Sequence, residues 1–219
     1  MLGSLGDDAL AVDLPPASIR GGPTRHELPP GADALQLSDW SDAVLAAADA
    51  AGFDRFVLVG HSLGGLTICD VARRAPARVA HLVFVSALVP PDGSTALAAM
   101  APEIMERVAG GLTEQVTIDM FCSDLDDAQT RFVLENTGTE AVQMMVEPVH
   151  RSGMPAEIPK TYVRLGEDHA LPITAQDASI AALREIPGGV VKVVELDAGH
   201  NAMISRPADL AAIVRATRI

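Results

Sequence analysis

A serine set between glycines directly after a run of apolar residues is the feature that most restricts how this chain can fold. The run Phe56–Val59 leads into Gly60-His61-Ser62-Leu63-Gly64-Gly65, and a helical pattern continues to Ala72. This order predicts a strand, a sharp turn and a helix with Ser62 at the apex, an arrangement called a nucleophile elbow. We expect Gly60 and Gly64 to be required, because a Cβ at either would stand where strand and helix nearly touch. A glycine-rich loop carrying a solvated serine is the alternative interpretation.

Composition excludes several classes of partner. The 219 residues carry a formal charge of −13, which repels phosphate backbones and anionic membrane surfaces, so we expect neither nucleic acid nor a membrane as a partner. No stretch approaches the roughly 18 consecutive apolar residues of a membrane span. The first residues, Met1–Asp8, lack the basic start and apolar stretch of a secretory signal. Cys69 and Cys122 have no metal-binding or disulfide spacing and suit buried thiols in a reducing cytoplasm.

Strands alternate with helices along the chain, which predicts an α/β fold with a mostly parallel, doubly wound sheet. The predicted strands are Ala9–Leu14, Phe56–Val59, Val79–Ser86, Thr161–Leu165 and Val190–Leu196. A helix capped by Ser38 and ended by Gly52 would bury Trp40 and Val44. The elbow helix would end near Pro76, and Pro207 would open a last helix through Arg218.

Between Pro91 and Pro159 the strand pattern gives way to short amphipathic pieces with helical spacing. We therefore predict a core formed by residues 1–90 and 160–219, with a helical cap inserted at 91–159. The cap is rich in methionine, which suits an adaptable apolar pocket, although these side chains could equally fill gaps between cap and core.

A nucleophilic serine needs a base, and the base needs an acid that orients it. In chains with a nucleophile elbow these residues follow in the order Ser, Asp or Glu, His, each after a strand. Asp168 follows the strand that ends at Leu165, and His200 follows the strand that ends at Leu196. Because open α/β sheets form their sites at the carboxyl ends of strands, we expect Ser62, Asp168 and His200 to converge.

Other residues could fill the same roles. For the acid, the alternatives are Glu167, Asp197 and Asp92, the last of which follows the strand ending near Ser86. For the base, the remaining histidines are His26, His61, His81, His150 and His169. His61 precedes the serine and is expected to point away from it as a hydrogen-bonded structural residue. No metal-ligand cluster and no Walker or dinucleotide glycine motif is present, so we expect no metal and no cofactor.

From Ala9 onward the chain resembles the α/β-hydrolase subgroup that contains plant methylesterases, hydroxynitrile lyases and bacterial esterase-like proteins. The matching segments are Val12–Pro15, Gly60–Gly65, Leu82–Ala87 with Pro90–Gly93, Thr161–Arg164 with Asp168, and Gly199–Met203 with Ser205–Pro207. The resemblance implies Ser62, Asp168 and His200 as a catalytic triad. Lyases of the subgroup have a lysine directly after the catalytic histidine. Asn201 occupies that position here, which favours ester hydrolysis.

The resemblance also implies a short N-terminus. Relatives begin with a strand, a His-Gly oxyanion loop and a helix before the strand expected at Ala9, so about 30 residues of strand and crossover have no counterpart. The missing strand would leave two unpaired edges, which could pair with a second copy in a homodimer. It would also leave Leu63 N–H as the chief oxyanion donor, and loss of one donor costs about 10²–10³ in rate. The chain is then a truncated form, or starts at a misassigned residue, or pairs its sheet differently.

These observations predict a cytoplasmic serine esterase that acts on a small-molecule ester through an acyl-enzyme. The residues expected to line the substrate pocket are His61, Leu88, Met120, Phe121, Met145 and Met203. The alternatives are a hydroxynitrile-lyase-like enzyme and a non-catalytic small-ligand binder with an incomplete oxyanion hole.

Overall fold

A four-stranded parallel sheet forms the centre of the molecule. The computed structural model describes residues 7–15, 31–109, 111–137, 143–186 and 188–217. The strands are β1 (Phe56–Ser62), β2 (Val79–Ala87), two short strands β3 (Ser94–Thr95) and β4 (Pro148–Val149), β5 (Lys160–Leu165) and β6 (Val191–Leu196). The sheet has the order β1-β2-β5-β6, and β3 and β4 form a separate antiparallel pair. All three contacts in the large sheet are parallel, so every strand ends at the same edge.

Helices cover both faces of this sheet, as the alternating pattern predicts. They are α1 (Leu37–Ala50), α2 (Gly64–Arg74), α3 (Ala96–Ala99), α4 (Pro102–Val108), α5 (Glu114–Phe121), α6 (Asp127–Asn136), α7 (Gln143–Val146), α8 (Ile173–Arg184), α9 (Ala202–Ser205) and α10 (Pro207–Arg215). Short 3₁₀ turns lie at Ala32–Ala34 and Pro76–Arg78.

Alternating side chains on the central strands β2 and β5 divide the core into two layers. Leu82, Phe84 and Tyr162 pack on one face with apolar residues of α1, α2 and α8. Val83 and Val163 pack on the opposite face with residues that include Val214 of α10. Because both faces are covered, β2 is a nearly continuous apolar run, as expected for a parallel strand. Strand β5 is also largely buried, although it includes Lys160, Thr161 and Arg164.

The segment predicted as the strand Ala9–Leu14 forms no regular secondary structure, so that prediction was wrong. A strand needs a hydrogen-bonding neighbour, and among the described residues β1 is paired on one side only, with β2. Val12 and Leu14 nevertheless pack against the core cluster, so the apolar pattern reflects burial without strand pairing.

Helix α1 begins two residues earlier than predicted. Its N-cap is Gln36 instead of Ser38, with a reciprocal capping box in which Asp39 accepts the Gln36 N–H at 2.7 Å. Trp40 and Val44 are buried as expected, and Gly52 follows the helix with a φ of 74°. The elbow helix α2 ends at Arg74, close to the predicted end near Pro76, and α10 begins at Pro207 as predicted.

Between β2 and β5, the described residues form five short helices, α3 to α7, and the β3–β4 pair. The latter joins the two ends of this segment, since Ser94 pairs with Val149 and Thr95 with Pro148. In the described part of the chain, no helix combines the length and apolar character needed to cross a bilayer.

Candidate active site

Ser62 stands at the end of β1 in a strained backbone conformation. Its φ is 53°, a left-handed value uncommon for a residue with a side chain, and α2 begins two residues later. An ideal Cβ on Gly60 would lie 2.7 Å from Gly64 O and 2.9 Å from Ile68 Cδ1, so strand and helix do nearly touch there. The expectation for Gly64 was wrong, because nothing lies within 4 Å of a Cβ at that position. The second close approach is at Gly65, where a Cβ would lie 2.5 Å from Leu88 O.

Leu63 is the N-cap residue of α2, directly after Ser62. The first amides of a helix have no acceptor within it and are available to an anion. The carbonyl of Ser62 is itself fixed, because it accepts a 3.0 Å hydrogen bond from Leu88 N–H. The elbow therefore has a fixed carbonyl group next to the first amides of α2.

Asp168 and His200 form a buried hydrogen-bonded pair. The distance from His200 Nδ1 to Asp168 Oδ2 is 2.7 Å, and the two residues are 3% and 5% exposed. Burial by itself would raise the pKa of Asp168. Hydrogen bonding to His200 and the charge of that ring outweigh burial, and the Leu171 N–H and Ser86 hydroxyl add to them, so the pKa lies below its usual 3.8.

The loop that carries Asp168 is held by hydrogen bonds within the loop and from helix α8. Asp168 Oδ1 accepts the N–H groups of Ala170 and Leu171, both at 2.8 Å. The buried Gln176 of α8 accepts Leu165 N–H at 2.9 Å and donates to the carbonyls of Leu165 and Leu171. The Asp168 carboxylate is thus fixed by its own loop, which the following helix holds in place.

His61, the residue before the serine, lies against His200. Its Nε2 is 2.8 Å from the carbonyl oxygen of His200, and the ring centroids are 4.5 Å apart. Burial, reinforced by the nearby His200 ring, lowers the pKa of His61 to about 3. A neutral His61 therefore donates to the His200 carbonyl, in agreement with the expectation of a hydrogen-bonded histidine.

Of the four candidate acids, Asp168 is the one hydrogen bonded to His200 among the described residues. Asp92 instead accepts the Arg151 N–H at 2.5 Å, at the base of the segment between β2 and β5. Glu167 and Asp197 are exposed. Among the described residues, Ser62 Oγ makes no hydrogen bond to His200. In many enzymes without substrate, catalytic hydrogen bonds are long or poorly aligned and tighten only when substrate binds.

The other histidines have different surroundings. His81 bonds Thr161 Oγ1 across the sheet at 2.9 Å, and burial lowers its pKa. The exposed His169 lies 3.1 Å from the Asp119 carbonyl through Nδ1. His150 is exposed next to β4, and His26 lies outside the described residues.

Residues 121–124, which we call the cap brace, contact the loops of both Asp168 and His200. Phe121 packs edge-on against the His200 ring, with centroids 5.2 Å apart, and its carbonyl accepts Asn201 Nδ2 at 2.8 Å. Asp124 Oδ2 accepts Gly199 N–H at 2.7 Å. Ser123 Oγ donates to the Glu167 carbonyl at 2.9 Å.

Sequence reasoning missed Ser123, Asp124 and Gly199 as parts of this site. An ideal Cβ on Gly199 would lie 2.4 Å from Asp124 Oδ1 and 2.6 Å from Ser123 Oγ, so the brace sits directly on this glycine. The sequence did contain one indication of this contact. Gly199 directly precedes the candidate base His200, and a glycine at such a position indicates that another part of the chain approaches the backbone closely.

The residues predicted to line a pocket fall into different environments. Leu88 belongs to an apolar cluster with Leu37, Trp40 and Leu66, against which Leu63 and Met145 pack. Met120 is 3% exposed, Phe121 faces His200 as described, and Met203 is 38% exposed. His61 lies beside His200. Within the described ranges, no group of three or more His, Cys, Asp or Glu side chains could hold a metal ion.

Comparison with known proteins gives consistent matches. A model of the alpha/beta hydrolase family matches residues 1–213. The pyrethroid hydrolase of Sphingobium wenxiniae is 27% identical over 173 residues, which are 71% of this chain and 60% of that one. The carbendazim hydrolyzing esterase of Nocardioides sp. is 35% identical over 83 residues, covering 36% of this chain and 34% of the esterase. The chain thus matches less than two thirds of the length of either relative.

A solved extracellular alpha/beta-hydrolase from a Paenibacillus species superposes with a TM-score of 0.73 at 23% identity. The superposition covers 85% of this chain and 82% of that one. At this identity the likeness establishes a shared fold.

Proposed function

Because this chain belongs to the alpha/beta hydrolase family, we propose that it hydrolyses small carboxylic esters through Ser62, His200 and Asp168. The observation that carries the proposal is the 2.7 Å hydrogen bond between His200 Nδ1 and the buried Asp168, at the sheet edge where Ser62 ends β1. Relatives named as esterases and as a pyrethroid hydrolase support ester substrates.

The proposed reaction begins with attack of Ser62 Oγ on the ester carbonyl. Since His200 Nδ1–H donates to Asp168, Nε2 is the nitrogen left to take the serine proton. The tetrahedral intermediate then collapses, the alcohol leaves with the proton from His200 Nε2, and the acyl group stays on Ser62. Water attacks this acyl-enzyme with His200 again as base, which releases the acid and restores the serine.

Negative charge develops on the carbonyl oxygen during both attacks. We assign its stabilisation to the Leu63 N–H at the start of α2, where helix geometry leaves amides without an internal acceptor. Asp168 stays ionised near neutral pH because its pKa is lowered, so it can stabilise the imidazolium formed on His200 in each half-reaction.

The apolar surroundings of the elbow favour an ester with a small apolar acyl or alcohol group. Leu63 and Met145 pack against the cluster that contains Leu88, whose N–H donates to the Ser62 carbonyl. Phe121 packs against the His200 ring. These side chains offer contact to hydrocarbon and little to a charged substrate.

Serine-dependent release of nitrophenol from p-nitrophenyl acetate tests the proposal. Wild type should turn over, Ser62→Ala should lose about 10³-fold or more of the activity, and the exposed Ser152→Ala should match wild type. Folding of each variant is checked by circular dichroism. Equal activity of Ser62→Ala and wild type would refute the proposal.

The lyase alternative predicts serine-dependent benzaldehyde formation from mandelonitrile. Asn201 brings no positive charge next to His200, and its amide is occupied by the Phe121 carbonyl. We therefore expect no cleavage of mandelonitrile in the same preparations.

A further inference from the structure

The carboxylate of Asp168 has a second partner in the sheet that the proposed mechanism does not use. Ser86 Oγ, on β2, donates to Asp168 Oδ2 at 2.6 Å, and Ser86 is fully buried. This is the same oxygen that accepts His200 Nδ1–H. With Ala170 and Leu171 N–H on Oδ1, the carboxylate has four donors, which matches its acceptor capacity.

Ser86 occupies a break in the regular pairing of β1 with β2. His61 pairs with Val85 and Ser62 with Ala87, so Ser86 is an extra residue on β2 with no partner in β1. This arrangement is a β-bulge, a feature that redirects a side chain and occurs often beside active sites.

The change in side-chain direction is visible in the two core layers. Phe84 and Ala87 belong to one apolar cluster and Val85 to the opposite one. In a regular strand Phe84 and Ala87, three residues apart, would point to opposite faces. The inserted Ser86 therefore lies outside the alternation, and its hydroxyl reaches the loop after β5 instead of either apolar layer.

The backbone of Ser86 is also strained. Its φ is 36°, and apart from Ser62 it is the one non-glycine residue in the described ranges with a positive φ. A left-handed conformation is costly for a residue with a Cβ, and such strain concentrates at functional sites. Glycine would adopt this conformation more easily, but it would lack the hydroxyl that contacts Asp168.

We propose that Ser86 is a positioning residue that fixes Asp168 Oδ2 where it accepts the Nδ1–H of His200. The catalytic part of this inference rests on the proposed function. The hydrogen bond between Ser86 and Asp168 can also be tested by a measurement that does not depend on catalytic activity. Loss of the hydroxyl leaves a buried carboxylate with one donor fewer. The carboxylate then accepts more strongly from His200 but is held less firmly.

The test compares wild type with Ser86→Ala, Ser86→Gly and a matched control, Ser41→Ala. Ser41 is equally buried, and its Oγ donates at 2.7 Å to the buried Asp70, away from the site. Ser86→Ala removes the hydroxyl, whereas Ser86→Gly removes it and relieves the backbone strain. The two variants separate the effect of the hydrogen bond from the effect of the strain.

Two readouts are measured. In proton NMR, the resonance of His200 Nδ1–H, assigned by its loss in His200→Gln, should move downfield in both Ser86 variants and stay unchanged in Ser41→Ala. With p-nitrophenyl acetate, kcat should fall about 10-fold in both Ser86 variants at nearly unchanged KM, the effect of one hydrogen bond to a charged group. The acidic limb of kcat/KM against pH should move to higher pH, because the less shared carboxylate holds protonated His200 more strongly.

Besides Asp168, His61 and Asp124 are titratable side chains next to His200 or its loop, and both are present in every variant compared. His61 contacts His200, but burial lowers its pKa to about 3, below the pH range of the assay. Cap-brace contacts to His200 come from the uncharged Phe121.

The results separate the inference from the proposed function. A Ser86→Gly variant with the wild-type resonance, kcat and pH profile would overturn the inference, since strain alone would then explain Ser86→Ala. If Ser86→Ala does not fold, Ser86→Gly decides. A moved resonance in a protein without serine-dependent hydrolysis would retain the inference and refute the esterase proposal.

Discussion

Adding a methyl group at Gly60 should destabilise the protein far more than adding one at Gly64. An alanine Cβ at position 60 would lie 2.7 Å from the Gly64 carbonyl oxygen, a backbone atom that cannot rotate away. A second contact, 2.9 Å from Ile68 Cδ1, would require that side chain to move as well. Overpacking of this kind costs about 1–3 kcal/mol, and the backbone partner puts Gly60→Ala at about 3 kcal/mol.

Gly64→Ala is the matched control, because a Cβ there meets nothing within 4 Å. Gly64 is the first residue of α2, and alanine is favoured over glycine in helices by up to about 1 kcal/mol. This substitution should therefore leave stability unchanged or raise it slightly.

Urea denaturation followed by circular dichroism measures both effects. With a slope of about 3 kcal/mol per molar urea, the Gly60→Ala midpoint should fall by about 1 M. The Gly64→Ala midpoint should stay at or above that of wild type. Equal losses in the two variants would show that the close approach of strand and helix does not determine which glycines the elbow requires.

Two further substitutions, Asp168→Asn and Asp124→Ala, test the loops around His200 in three measurements. Asp168→Asn should lower kcat about 10⁴-fold in the ester assay, because the amide no longer favours the His200 tautomer with a proton on Nδ1; near-wild-type turnover would contradict this role. Urea titrations at different pH values compare the free energy of unfolding of wild type and Asp168→Asn. The advantage of wild type should be full above the unfolded-state pKa of about 3.9 and should decline as the pH falls through the lowered folded-state pKa. An advantage that grows below pH 4 would contradict this direction of the pH dependence. Asp124→Ala should reduce kcat about 3- to 10-fold by freeing the Gly199 N–H, whereas the exposed Asp119→Ala should not; identical kinetics in the two variants would remove the cap brace from the argument.

The sequence predicted the central strands β2 and β5 well because they are buried on both faces. Runs such as Val79–Ala87 have no amphipathic helical period, so their assignment to strands needed no tertiary information. The edges of elements were harder to predict. Ser38 is a good N-cap by residue type, but Gln36 and Asp39 form a reciprocal pair that begins the helix earlier.

The segment Ala9–Leu14 illustrates a different limit. Its short, mostly apolar run fits the sequence pattern of a buried strand, and Val12 and Leu14 do pack on the core. Whether such a segment becomes a strand depends on a neighbouring strand with free hydrogen-bonding groups. That condition belongs to the whole sheet and cannot be seen in six residues.

Within the site, the chain order nominated Ser62, Asp168 and His200 because each follows a strand in a parallel sheet. It could not reveal Ser86, since a bulge depends on a one-residue offset between β1 and β2. It could not reveal Asp124 either, whose partner Gly199 lies 75 positions later. The residues that contact Asp168 and His200 are therefore less visible in the sequence than the proposed acid and base themselves.

The geometry of the acid–base pair is fixed from three directions by three separate parts of the chain. Ser86 of β2 contacts Asp168 Oδ2, His61 of β1 contacts the His200 carbonyl, and Asp124 of the cap brace contacts Gly199 N–H. Each contact is a single hydrogen bond, with a net contribution of about 1–3 kcal/mol. Displacement of a catalytic group by 1 Å can cost about 10²-fold in rate, so removal of any one support should reduce turnover more than it reduces stability. Strands β1 and β2 and the cap brace thus hold one arrangement of Asp168 and His200. The proposed function therefore predicts that a substitution in the cap brace alters the ester assay while Ser62 is unchanged.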